Sequence, residues 1–302
     1  MLKRHCSLLL ALLLMLTVCP SQASPLLKRT PLGTASDVTA EKIVYQSGSL
    51  KVCGRLYLPA SFPRPLPLVI FNHDGNDGIS TSHHKSCLRL AAQGYAVIAP
   101  SYRGEDGSQG TVEVAKGEVD DVLNLWPCLA EIPDIDSKRV VLMGASHGAL
   151  ISLLAAGRQQ NIKGLIFAYG VADIFSWWDY LKANNMIGND ALTKRTYGNG
   201  PQDRPQSFKI RCGLNAVPNI SAPTLILQGD LDKITPPTQA EILHQSLIRH
   251  GKESRLCRYP HALHGFLVYA PYLTHDVTAE EKAETEQAWQ EVFAFLKKAL
   301  QD

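Results

Sequence analysis

A five-residue turn, Gly144-Ala145-Ser146-His147-Gly148, constrains this chain more than any other feature. Before it, residues 140–143 (Val-Val-Leu-Met) read as a buried strand; after it, residues 149–156 read as a helix. A strand that turns directly into a helix leaves no room for side chains at the flanks of the turn, so glycine on both sides meets a steric demand. The serine between them takes a strained backbone, which lifts its hydroxyl above the sheet at the start of the helix. Free N–H groups and partial positive charge gather at that end of a helix. Ser146 is therefore a candidate nucleophile. The plainer alternative is a helix N-cap, whose hydroxyl accepts a backbone N–H.

Around this turn, strand and helix patterns alternate. Residues 41–47 and 50–58 read as antiparallel neighbours joined by a turn at Gly48. Buried strands follow at 68–72, 95–99, 164–169, 223–228 and 255–259. Helices are predicted at 85–93, 113–130, 238–250 and 279–300, with Pro127 breaking or ending the second. This rhythm implies an α/β fold, a mostly parallel doubly wound sheet covered by helices on both faces. Residues 173–215 fit the rhythm poorly and read as a short inserted cap. Its Trp177 and Trp178 are candidates for an apolar substrate wall or for plain packing.

The beginning of the chain reads differently. Lys3 and Arg4 precede a leucine-rich run at 8–18, and Ser21-Gln-Ala23 places small residues where a signal peptidase would cut. Residues 1–23 are thus expected to be a secretory signal, with cleavage after Ala23 and a periplasmic or secreted product. Val18 before Cys19 does not fit a lipidation signal, and the run is short for a stable membrane span. Residues 24–40 read as an N-terminal extension and 41–302 as one catalytic domain. A formal net charge of +2 and 19% charged residues give no electrostatic footing for nucleic acid. Cys53, Cys87, Cys128, Cys212 and Cys257 show no Cys-x-x-Cys spacing, so no zinc site is expected. In an oxidising compartment, Cys212 is the expected bridge partner, because a crosslink would limit the irregular cap, while at least one thiol stays free.

A serine nucleophile needs a base, and the base needs an orienting acid. Ligands of open α/β sheets bind beyond the C-terminal ends of the strands. The loop after residues 223–228 carries Asp230 and Asp232; Asp232 lies farther out and is preferred, with Asp230 suited to hold the turn. The loop after 255–259 reads Pro260-His-Ala-Leu-His-Gly-Phe266. His264 is the preferred base and His261 the alternative. Ser146, Asp232 and His264 then follow the Ser, Asp, His chain order of one hydrolase architecture.

An oxyanion needs two backbone donors. One is the His147 N–H, directly after the nucleophile. The second is sought in the loop after the 68–72 strand, Asn72-His-Asp-Gly-Asn-Asp-Gly78, where the Asp74 N–H is preferred and that of Gly75 comes next. His73, Asp74 and Asp77 lack a matching second cluster of ligands, so no metal and no cofactor is expected. Arg103 reads as a loop brace, with a substrate-carboxylate anchor as the alternative. His83 and His84 read as exposed polar residues near a helix start.

These residues together resemble the α/β-hydrolase superfamily, and within it the dienelactone-hydrolase-like and prolyl-oligopeptidase-like branch. The resemblance spans roughly residues 41–300. It is carried by Asn72-His-Asp-Gly75, Tyr102-Arg-Gly104, Glu118-Val-Asp-Asp121, Ile135-Asp-Ser-Lys-Arg-Val140, the Ser146 turn, Gly229-Asp-Leu-Asp232 and His264-Gly-Phe266. It implies that Ser146, Asp232 and His264 form a catalytic triad. Dienelactone hydrolases proper use cysteine where this chain has Ser146. The oligopeptidases place a β-propeller ahead of the catalytic domain; with only residues 24–40 before the first predicted strand, none is expected here. The expectation is an esterase for small or medium carboxylic esters. A peptidase or amidase acting on short peptides is the alternative, and a non-catalytic binding protein on the same fold is the alternative of another class.

Overall fold

Among the described residues nine strands share one sheet, and the apolar residues along them alternate between its two faces. The computed structural model describes residues 24–273 and 276–301. The expected signal segment lies outside them. The strands are β1 (Leu26–Ala35), β2 (Val38–Ser47), β3 (Leu50–Pro59), β4 (Leu66–Asn72), β5 (Ala96–Pro100), β6 (Ile135–Ala145), β7 (Gly164–Ala168), β8 (Thr224–Gly229) and β9 (Ser254–Tyr259). Their spatial order is β1-β2-β3-β5-β4-β6-β7-β8-β9. The β1–β2, β2–β3 and β3–β5 pairs are antiparallel; every other pair is parallel. The helices are α1 (Thr81–Ala91), α2 (Gly117–Leu123), α3 (Trp126–Leu129), α4 (His147–Ala156), α5 (Ile174–Ala183), α6 (Ala191–Tyr197), α7 (Pro205–Arg211), α8 (Thr238–Arg249) and α9 (Ala279–Ala299).

Parallel strands buried on both faces need apolar side chains at successive positions, and the sequence supplies them. On one face Val140, Leu142, Leu165, Phe167 and Ile226 pack with α2, α4 and α8. On the other Val141, Met143, Ile166, Ala168 and Leu225 pack with α1 and α9, around the fully buried Trp289. The α5–α7 segment between β7 and β8 has a small core of its own, built on Ile174, Trp178, Tyr197 and Phe208.

Four expectations need correction. Residues 24–40 are not an appendage: they form β1 and begin β2. β1 is an exposed edge strand with Pro31 within it, so it carries no buried alternation to read. The helix predicted at 113–130 is two helices, since Pro127 stands in the first turn of α3 and residues 113–116 form a loop. In that loop Val114 and Ala115 have positive φ, and the buried Glu118 carboxylate accepts from the N–H groups of Glu113, Val114 and Lys116. His83 is buried, because α1 begins at Thr81, one turn earlier than predicted. Cys212 is a free thiol, as are the other four described cysteines. It is buried against the Asp173 carboxylate at 3.7 Å, where apolar packing closes the segment without a crosslink.

Arg103 takes the bracing role. It ties the loop after β5 to α2: its Nη2 donates to Asp121 Oδ1 at 2.9 Å, its Nε to Oδ2 at 3.1 Å, and its Nη1 to Glu113 at 3.1 Å. Asp121 is fully buried and also accepts from Ser47 Oγ at 2.6 Å. Asp121→Ala would leave the half-buried Arg103 guanidinium without its main partner, and breaking such pairs costs on the order of 3 kcal/mol. A denaturant midpoint shift of that size is expected, whereas Arg258→Ala at the exposed Asp230 pair is expected to shift it little.

Candidate active site

Ser146 has φ 49° and ψ −115°, the strained backbone that the strand-to-helix turn imposes. A Cβ on Gly144 would meet Gly148 O at 2.1 Å, and a Cβ on Gly148 would meet Asn72 O at 2.0 Å. Only glycine allows the start of α4 to approach the ends of β4 and β6 this closely. Ser146 precedes α4 without capping it through its side chain, so the N-cap alternative does not hold.

Its Oγ lies 3.0 Å from His264 Nε2 instead. His264 Nδ1 lies 2.7 Å from Asp232 Oδ2. An ionised carboxylate only accepts, so Nδ1 carries the proton and Nε2 is free to accept from the serine. Three loops thus converge, each at the C-terminal end of a parallel strand: β6, β8 and β9.

The Asp232 carboxylate is rigidly held. It is buried, and its Oδ1 accepts from the Ile234 and Thr235 N–H groups at 2.8 and 2.9 Å. Thr235 Oγ1 donates to its Oδ2 at 2.8 Å. One residue therefore holds the turn and orients the imidazole. Asp230, expected to hold that turn, faces Arg258 at 2.6 Å on the surface. His261 is exposed and pairs with Glu284 at 2.7 Å, away from Ser146. Tyr169 packs edge-on against the His264 ring, with centroids 5.1 Å apart.

The loop after β4 lies across the turn from His264. The His147 and Asp74 N–H groups donate to no protein acceptor among the described residues. His147 Nδ1 lies 2.9 Å from Gly75 O, joining this loop to the start of α4, while its Nε2 is buried without a partner. The Asp74 side chain turns inward, where His83 Nε2 stands 2.9 Å from Oδ1 and the Tyr269 hydroxyl donates to the same oxygen. Burial alone would push the Asp74 carboxyl up, but the His83 and Tyr269 hydrogen bonds hold it below its ordinary value. Tyr269 follows His264 by five residues, so this contact links the loop after β4 to the segment carrying the imidazole. Neither Tyr269 nor Thr235 stands in a motif, and a register with α1 or β8 that only folding creates makes them visible.

A cavity of about 240 Å³ opens beside Ser146. Its walls include Gly75, Asn76, His147, Ile174, Trp177 and Tyr197. Trp177 belongs to it and donates from Nε1 to Ile234 O at 2.9 Å. Trp178 does not line this cavity; it is buried between Tyr197 and Phe208, in the packing role.

The profile described as the prolyl oligopeptidase family matches residues 80–302. The chain belongs to the prolyl oligopeptidase family. Among curated proteins it is similar to the uncharacterized peptidase YtmA of Bacillus subtilis, 25% identical over 226 residues that cover 74% of this chain and 85% of the relative. Among solved structures it resembles the acylaminoacyl peptidase of Pyrococcus horikoshii, with TM-score 0.71 and 17% identity, over 87% of this chain but 42% of that one. It also resembles the hyperthermophilic esterase of Pyrobaculum calidifontis, with TM-score 0.67 and 21% identity, over 87% of this chain and 86% of the other. These structural likenesses show the α/β-hydrolase fold. Membership of the prolyl oligopeptidase family places the chain among the serine hydrolases.

The depressed Asp74 carboxyl links this family member's stability to acid. Its folded-state value lies below that of the unfolded chain, so its contribution is present at neutral pH. That contribution disappears as pH falls through the folded value. Asp74→Asn is expected to be less stable than the parent chain at pH 7, with the gap narrowing below about pH 4. Denaturant midpoints at both pH values measure this; a gap that widens in acid contradicts it.

Proposed function

We propose that the chain hydrolyses small or medium carboxylic esters through an acyl-enzyme on Ser146. Ser146 Oγ attacks the ester carbonyl carbon while His264 Nε2 takes the hydroxyl proton. Asp232 holds the tautomer and stabilises the imidazolium. The His147 N–H, with that of Asp74 or its neighbour Gly75, receives the oxyanion at the start of α4. The imidazolium then protonates the leaving alcohol. Water, deprotonated by the same nitrogen, attacks the acyl-enzyme carbonyl; the bond from the acyl carbon to Ser146 Oγ then breaks, the proton returns from His264 to Oγ, and the carboxylic acid is freed. No step in this scheme calls for a cofactor.

The observation that supports an ester substrate is the wall of the cavity beside Ser146. Val171, Ile174, Trp177, Leu192, Tyr197 and Ile234 contribute to it, and no carboxylate or ammonium side chain does. A neutral acyl group is desolvated there at little cost, whereas the charged amino end of a peptide would be buried without a counter-ion. The second reading is a peptidase or amidase acting on short peptides. The likeness to YtmA supports it, and a peptide with a blocked amino end would suit the same neutral walls. A series of p-nitrophenyl esters of graded acyl length, run beside free and N-acylated aminoacyl arylamides, separates the two. Esters are expected to turn over with kcat/KM well above that of either arylamide, with a maximum at a short or medium acyl chain. Faster cleavage of the N-acylated arylamides would establish the second reading.

Ser146→Ala and His264→Ala are each expected to lower turnover by about 10⁴- to 10⁶-fold with the fold retained, and Asp232→Asn by about 10⁴-fold. His261→Ala and Asp230→Asn, both in surface ion pairs, are expected to stay near the parent rate. Stoichiometric fluorophosphonate labelling of Ser146 is the companion measurement. A dead His261→Ala beside an active His264→Ala would move the base.

The charged, leucine-rich start and its Ser-Gln-Ala end support export to the periplasm or beyond. The intact mass of the exported chain is expected to correspond to a start at Ser24.

A further inference from the structure

We infer that the chain has a second ligand site, a cavity on the β2–β3 side of the sheet, which takes a small molecule bearing a carboxylate or phosphate group. The cavity measures about 480 Å³, larger than the one beside Ser146, and shares no lining residue with it. β3 lies three strands from β6, roughly 14 Å at ordinary strand spacing.

Its floor carries an uncommon pairing. Lys42 on β2 and Arg55 on β3 stand directly opposite each other in the antiparallel register, and both line the cavity. Like charges placed opposite each other on one sheet face repel. Both side chains are half-buried, and neither forms an ion pair with a carboxylate among the described residues. Lys42 Nζ donates to the main-chain oxygen of Asp106 at 3.0 Å, and Arg55 Nη2 to that of Ile79 at 3.2 Å. Asp106 is the one carboxylate in the lining, and its Oδ2 is occupied by the Ile79 N–H at 2.9 Å. Two cations therefore face one engaged carboxylate. The surplus is positive, and it sits in a recess where solvent screens it less than on an open surface.

The remaining walls sharpen the ligand class. Thr81, the first residue of the eleven-residue helix α1, is in the lining, so that helix end adds to the positive potential. His84 also lines the cavity, with Nδ1 3.0 Å from the Tyr57 hydroxyl. Burial and the Arg55 charge hold its imidazole below the ordinary value. Leu32 and Ile79 supply apolar wall. The volume exceeds what a bare inorganic ion needs, so the recess suits an anionic head with a small apolar body. The guanidinium of Arg55 provides the planar fork that carboxylates and phosphates both match.

Phenyl phosphate, benzoate and the neutral benzyl alcohol, titrated into the full chain, test this site. Calorimetry is expected to show saturable binding of at least one of the two anions, none of the alcohol, and weakening with added salt. Arg55→Gln and Lys42→Gln are each expected to weaken that binding by about tenfold, and Ser146→Ala to leave it unchanged. Bound anion should also raise the pKa of His84, read from its ring-proton shifts across pH, because the ligand offsets the Arg55 charge. The phosphate and carboxylate arms then rank the two head groups. Lys42→Gln, at a half-buried position on β2 whose Nζ bonds, among the described residues, only a main-chain oxygen, keeps the test valid where Arg55→Gln fails to fold. Absence of saturable anion binding overturns the inference, as does binding that persists at parental affinity in both charge-removing variants.

Discussion

The approach of α4 to the end of β4 governs the rest of this structure. Gly148 stands where any Cβ would lie 2.0 Å from Asn72 O and 2.5 Å from His73 O. That contact brings the loop after β4 beside the first turn of α4, so backbone N–H groups from two separate segments stand near one hydroxyl. It also forces the left-handed φ of Ser146, since the chain has no other route from strand to helix in so little space. A wider turn would relax the serine and separate it from those N–H groups. Strain at one residue is thus coupled to the geometry of the whole cleft, and the apolar packing of β6 and α4 stabilises it.

Around this turn the polar groups differ in how firmly they are held. Asp232, Asp121 and Glu118 are buried carboxylates, each with several donors, and each fixes a loop at the same end of the sheet. His264 is less enclosed, its side chain 23% exposed. Held acids around a more accessible imidazole suit a site of this kind, because the carboxylate orients the ring while the ring itself remains reachable. The neutral, apolar walls beside Ser146 complement this arrangement. They place no carboxylate, ammonium or guanidinium side chain in the lining beside Ser146.

The loop from His73 to Ile79 joins two parts of the surface. Gly75 and Asn76 wall the cavity beside Ser146, while Ile79 walls the larger, positively charged recess. Between these points Asp74 is held by His83 on α1 and by Tyr269, from the segment that follows His264. The two cavities are separate in space yet bordered by one short run of backbone.

How much of this was legible beforehand depends on the range over which each feature is determined. The strand, the glycine-flanked turn and the helix around Ser146 lie within a few residues of one another, and local sterics and periodicity specify them. The parallel sheet was readable because strands buried on both faces carry continuous apolar runs, and the order of Ser146, Asp232 and His264 followed from strand order. β1 was not readable, because an exposed edge strand needs no apolar alternation. The choice between Asp230 and Asp232 rested on reach along a loop, and only the folded loop shows Asp230 turned out to Arg258 while Asp232 meets His264. The two readings of Trp177 and Trp178 could not be separated, and His83 and Cys212 were misplaced, for the same reason: burial of one residue depends on what packs over it. Tyr269 against Asp74, and Lys42 opposite Arg55, join positions 195 and 13 residues apart in the chain. The sequence by itself determined most of the elements, their order and the sterics of the turn, since these follow from short-range contacts and periodic burial. The tertiary structure alone decided which charges meet and which loops are tied together, since those contacts exist only once distant segments have packed.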